Sequence, residues 1–274
     1  MVQQLSLFGV IDDESYDLFV STMTMSYGSS PIIFANLDTM WKPDPAFEIG
    51  ETNSKNQLVE KNRIKMSQVL PLDLLSKDST GEKTVDSTLL KELQTDELPI
   101  PLKIVQHMIN NNSSDETDPT KSTGNSGTGF GTWTMSISDI PAAGSNRKVC
   151  MQSITESVLI DSIGPNASTQ SFMKQLCYVL DYLYVSIGIR FHLKHGLVVE
   201  LQKVWDMNSG KQITKGGFLI KAYTNIKRAT DIDRLNYSEQ ILLNLQKELQ
   251  GYLDLVMADR KSMNSKMGLD NESL

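Results

Sequence analysis

One stretch, Tyr178 to Ile226, constrains this chain more than any other, because it reads as three consecutive β-strands. Val179, Leu183, Val185, Ile187, Ile189, Phe191 and Leu193 share one parity, and Tyr178, Leu180, Tyr182, Tyr184, Arg190, His192 and Lys194 share the other. Successive side chains of a strand point to opposite faces, so this alternation predicts one apolar and one polar face. His195-Gly196 then reverses the chain, glycine tolerating the positive φ of a tight hairpin. LVVELQKVW (Leu197 to Trp205) returns, and GFLIKAYTNI (Gly217 to Ile226) makes the third strand. At ~3.3 Å per residue, Tyr178 to Lys194 would span roughly 55 Å, about three times a usual strand. Such a strand has to bend, and Gly188 is the expected place. A long bent strand shared by two parts of a curved sheet predicts a closed or nearly closed β-barrel.

The remaining elements fit around that sheet. Val2 to Val10 and Ile32 to Trp41 predict strands, separated by a helix over Ser15 to Met25 with Leu18, Phe19 and Met23 at contact spacing. Asp12-Asp13-Glu14 suits the positive end of that helix. Lys42-Pro43-Asp44-Pro45 predicts a turn. Asn56 to Ser67 and Pro99 to Ile109 are apolar without a decided type, and Thr88 to Leu93 fits a short helix or a strand. Trp133 to Ser138 and Lys148 to Ile160 predict strands, and Ser168 to Leu176 a short helix. Ile241, Leu245, Leu249, Tyr252 and Val256 form one stripe, which predicts a helix over Tyr237 to Met257 with Gly251 inside it for close packing. Asp231 and Asp233 sit where they would cap its entry, and the residues from Lys261 onward are expected to fray. Asn110 to Gly131 is almost free of apolar side chains and predicts a disordered internal loop of a single domain spanning residues 1–274.

A net charge of −7 argues against non-specific nucleic-acid binding as the main function. The charge is split: Met1 to Glu60 holds nine acids and two bases, Ile187 to Arg228 eight bases and two acids. Either solvated faces or a partner-binding surface would explain that split. Cys150 and Cys177 have no metal-ligand spacing and read as small core residues of a reducing compartment. MVQQLSLFGVIDDE lacks the features of a signal peptide, and no apolar run is long enough for a membrane span, so a soluble intracellular protein is expected.

Catalytic signals are sparse. His192 and His195 fall on opposite parity, and His107 is remote in sequence. Gly210-Lys211 lacks the earlier glycine of a phosphate loop, whose place is taken by Trp205. Glu200 is the only acid on the returning strand, with Gln202 as its same-face neighbour. No cofactor or metal site is predicted. Trp41, Trp133 and Trp205 each lie near a predicted strand end, where barrel rims form, so they are candidate partner-binding residues; the alternative is a place in the core.

Longer blocks carry a family resemblance. WKPDP (Trp41 to Pro45), NQLVEKNRIKMS (Asn56 to Ser67), ISDIPAAGSNRKVCMQ (Ile137 to Gln152) and GIRFHLKHGLVVELQKVW (Gly188 to Trp205) resemble the fungal Mediator subunit 18 family. So do GGFLIKAYTNIKRATDIDRLNY (Gly216 to Tyr237), LQKELQGY (Leu245 to Tyr252) and the opening MVQQLSLFG. The resemblance implies a mainly β fold with flanking helices (α+β): a multi-stranded antiparallel barrel similar to the RNA triphosphatase tunnel fold. It implies a non-catalytic subunit of the Mediator head module in the nucleus, paired with subunit 20 and tethered by the C-terminal helix of subunit 8. That subunit would serve RNA polymerase II transcription as a coactivator scaffold. The alternative, a tunnel-fold phosphohydrolase acting on RNA 5′ ends, would need alternating strand glutamates, and the sequence has no Glu-x-Glu.

Overall fold

Period-two apolar patterning in a chain with few long helical stripes leaves strands to bury their apolar face against something, and here that face lies outside a barrel. The computed structural model describes residues 1–47, 61–72, 100–110, 132–142, 144, 147–160, 168–260, 262–263 and 265–267. The barrel strands are β1 (Val2–Asp12), β2 (Ile32–Pro43), β3 (Ile64–Val69), β4 (Thr132–Ser138), β5 (Cys150–Ile160), β6 (Tyr178–His192), β7 (Leu197–Asp206) and β8 (Gly217–Ile226). They close into one antiparallel ring in the order β1-β5-β4-β3-β2-β6-β7-β8 and back to β1. The helices are α1 (Tyr16–Tyr27), α2 (Leu102–Asn110), α3 (Thr169–Gln175) and α4 (Ile232–Leu249).

Residues of one parity from β1, β2, β3, β4, β5 and β8 together line a single polar cavity, which in a closed ring is the lumen. The opposite parity, including Leu5, Leu7, Leu37, Trp133, Leu201, Phe218 and Ile220, forms the buried core on the outer wall. Helices cover that wall: Tyr16 of α1 stacks on Phe218 at 4.8 Å, α4 packs on β8 and β1, and α3 packs on β6. The predicted barrel is therefore present, with the helices on its apolar outside.

Several local expectations shift. The long strand β6 keeps full pairing with β2 past Gly188, and its irregularity falls instead between Met40 and Trp41, opposite Asp181. This bulge reverses the parity of what precedes it. Tyr178 and Leu180, assigned by alternation to the polar face, accordingly pack against the core. Gly188 serves a different need, since a Cβ there would collide with the Leu201 carbonyl oxygen of β7. The turn expected over Lys42-Pro43-Asp44-Pro45 is present only in its second half: β2 runs through Pro43, and the Ala46 amide donates to Asp44 Oδ1 at 2.9 Å.

Helix α4 begins earlier and ends earlier than Tyr237 to Met257. Asp231 caps it by accepting from the Arg234 amide at 3.1 Å, and Gly251 at φ 89° stands beyond its end rather than inside it. Past the helix, Phe8 and Val256 exchange backbone hydrogen bonds at 2.8 and 2.7 Å, so this tail meets β1 beyond its pairing with β5. Leu18 and Val256, placed on helical contact faces by spacing, are exposed. Of the residues expected to fray, Lys266 and Met267 pair with Asn62 and Lys61, and Ser265 accepts from the Arg63 amide. Thr88 to Leu93 lies outside the described residues; so does the predicted loop, except that Asn110 closes α2.

Candidate functional site: the polar lumen and its rims

Alternation that puts apolar groups outside must put polar groups inside, and the lumen is where the unabsorbed chemistry collects. A cavity of about 350 Å³ is lined by Gln4, Asn36, Lys65, Thr134, Ser136 and Lys221 among others. Beside it, Met263 and Ser265 of the C-terminal tail line a second cavity with Arg63, Tyr182 and Tyr184.

Two carboxylates organise the interior. Asp38 on β2 takes Lys65 Nζ at 3.1 Å and accepts from the hydroxyls of Ser67 and Ser186. Burial alone would lower the Lys65 pKa, but the adjoining Asp38 carboxylate and the Tyr184 phenol together outweigh it and hold the ammonium above its ordinary value. Glu200 on β7 takes Arg190 Nε at 2.6 Å and the Tyr223 hydroxyl at 2.8 Å. Burial, then the Glu200 charge, pushes the Tyr223 phenol well up. Lys221 stands directly across from Glu200 in the β7–β8 register, yet Glu200 is already occupied. No hydrogen bond or ion pair from the described residues reaches Lys221 Nζ, which lies 5.0 Å from the Tyr223 ring centroid and 6.0 Å from that of Phe8. Burial pushes its pKa down to about 8.

The sequence-predicted residues distribute differently. Trp41, Trp133 and Trp205 are 1%, 1% and 0% exposed, each with its ring in the outer-wall core near a strand end. Trp41 Nε1 donates to Thr39 Oγ1 at 2.9 Å. Their faces are filled by the protein itself. The basic stretch also divides: Arg190 and Lys221 turn into the lumen, and Lys203 is buried in the outer wall against Asp13 at 2.7 Å. Lys194, Lys211, Lys215, Lys227 and Arg228 remain exposed. Asp13 thus neutralises a buried lysine instead of serving the α1 dipole. His195 meets the Tyr237 hydroxyl at 3.0 Å, His192 is exposed, and the His107 side chain is outside the described set. Cys150 is buried, which raises its thiol pKa, and Cys177 is half-buried at φ 60°. Among the described residues no group of His, Cys, Asp and Glu is placed to hold a metal ion. Lys221 was missed by sequence reasoning, although its odd parity beside Leu219 and Tyr223, opposite Phe218, Ile220 and Ala222, already set it on the polar face.

Comparison with known proteins gives a consistent picture. The family model described as Med18 protein matches residues 3–266. Mediator of RNA polymerase II transcription subunit 18 of Saccharomyces cerevisiae is 41% identical over 304 residues, covering 99% of this chain and 99% of that protein. Its Candida glabrata counterpart is 40% identical over 278 residues, covering 100% and 99%. In fold, a chain of the Schizosaccharomyces pombe Mediator head module is similar at a TM-score of 0.58 and 13% identity, over 93% of this chain and 98% of that one.

Proposed function

The chain belongs to the Mediator subunit 18 family, and from that premise we propose that it is a non-catalytic scaffold of the Mediator head module, serving RNA polymerase II transcription in the nucleus. In this reading it pairs with Mediator subunit 20 and is tethered by the C-terminal helix of subunit 8. The observation that carries the reading is identity of about 40% spread over the full length of both chains, because a shared barrel alone would not transfer a role. The lumen supports it: Asp38 and Glu200 are each engaged by a cation and hydroxyls, an arrangement that stiffens a wall. Trp41, Trp133 and Trp205 contribute to partner binding by fixing the strand ends beneath the rim loops rather than by touching the partner.

Affinity purification of the tagged chain from a nuclear extract, with mass-spectrometric identification of what accompanies it, tests the proposal. Recovery of Mediator head subunits, with subunits 20 and 8 in stoichiometric amounts, is expected. Recovery of no Mediator subunit would overturn it, and recovery of the others without subunit 20 would overturn the pairing alone.

A further inference from the structure

The lumen leaves one of its cations without a direct ion-pair partner. Two interior cations are matched one to one, Lys65 with Asp38 and Arg190 with Glu200, and Lys221 is left over among the described residues. Glu156 also lines the cavity but is exposed and makes no ion pair with Lys221. Donors stand ready around the same space. Thr134, Ser136 and the Asn36 amide all line it, and no described residue hydrogen-bonds their side chains. By contrast the Gln152 amide donates to Asp139 O and the Gln4 amide to Asn225 Oδ1. The floor beside Lys221 is aromatic, Phe8 and Tyr223, and the ammonium lies over the ring faces without a hydrogen bond to any described residue. With ~30 Å³ per water, a cavity of about 350 Å³ has room for a small anion and its remaining hydration.

We propose that the barrel lumen is a binding site for a single inorganic oxyanion of phosphate or sulfate size, held by the Lys221 ammonium, with the Thr134 and Ser136 hydroxyls and the Asn36 amide as donors. A tetrahedral oxyanion uses several donors at once, whereas chloride, with no oxygens to spread among them, gains less. Charge-assisted bonds of this kind are stronger than neutral ones. The site does not depend on the partner assignments above, and it is no active centre.

The test uses the full chain and follows thermal unfolding and calorimetric titration with sodium sulfate and sodium phosphate, against sodium chloride at matched ionic strength. Saturable stabilisation by sulfate and phosphate is expected, with Lys221→Gln weakening either anion at least tenfold. Lys211→Gln, an exposed change outside the lumen, leaves binding as it was. Should Lys221→Gln not fold, the unmodified chain still decides the matter through pH. Sulfate, unlike phosphate, keeps its charge between pH 6.5 and about 9.5, so its affinity should fall across that range as Lys221 loses its proton. The other groups facing the space are Asp38, Glu200, Glu156, Lys65 and Arg190, with Tyr184 and Tyr223 raised by burial above the ordinary phenol value. Equal stabilisation by chloride, sulfate binding that survives Lys221→Gln, or sulfate affinity flat with pH would each overturn the proposal.

Discussion

At position 203 a lysine occupies an outer-wall slot that its strand neighbours Val199, Leu201 and Trp205 fill with apolar side chains. Its ammonium has Asp13 at 2.7 Å and the Phe218 ring centroid at 4.5 Å, with no exposed surface. Removing the acid strands a buried charge, so Asp13→Ala should cost about 3–5 kcal/mol, towards the lower end because Asp13 itself keeps some exposure. Lys203→Met should cost far less and should recover most of the loss when added to Asp13→Ala, read as urea midpoints. Equal losses in the two single variants would mean packing, not charge, dominates. Lys221 makes the opposite kind of demand. Its pKa is depressed in the fold, so the unfolded chain binds the proton more tightly, and stability should rise with pH between about 8 and the ordinary lysine value. The gain is on the order of 1–3 kcal/mol, less where lumen water screens the charge. Above pH ~10 the raised pKa values of Tyr184 and Tyr223 pull the other way, since only the unfolded phenols ionise readily. Lys221→Met should flatten the rise; a slope that persists in that variant would refute the assignment.

Two glycines set element geometry for different reasons, and substitution separates them. Gly251 holds φ 89° in open space, so Gly251→Ala should cost about 1 kcal/mol or slightly more through the backbone alone. Gly188→Ala drives a methyl into the Leu201 carbonyl and should cost at least 2 kcal/mol or prevent closure of the β6–β7 pair, measured by denaturant unfolding. These positions also show what the sequence could convey. Alternation in β6, β7 and β8 was legible because one face of each is mostly apolar, with Lys203 and Thr224 as exceptions. The stripe Ile241, Leu245, Leu249, Tyr252 and Val256 was legible too, but periodicity ran through the left-handed glycine that ends α4. The bulge left one mark: Asp181 falls by spacing among the apolar residues Val179 and Leu183, and its pairing with Lys42 and Arg63 shows it to be the extra residue. The tryptophans were placed correctly along their strands. Their burial followed from a property no single strand carries, namely that the apolar wall faces outward beneath helices.

As a whole the molecule is a ring with unequal joints. β2 pairs with β6 from end to end, whereas β3 meets β4 only from Lys65–Ser136 to Ser67–Thr134, and β1 leaves β5 after Ser6–Cys150. The tail beyond α4 covers the last gap with Leu253 and Leu255 buried beside Gly9. Leu255→Ala should therefore cost about 2–5 kcal/mol, with hydrogen exchange accelerated first at Phe8 rather than in β2 and β6. Uniform acceleration across the barrel would show that the tail is not a local fastening. The ring also has an order of manufacture. β1 is made before the other seven barrel strands, yet its partner β8 ends at Ile226. At ribosomal rates of 5–20 residues per second, the nascent β1 waits on the order of 10–40 s for that partner. Until β5 is made it carries two open edges, and one from then until β8 arrives, so synthesis of this barrel leans on whatever in the cell shields an unpaired strand edge.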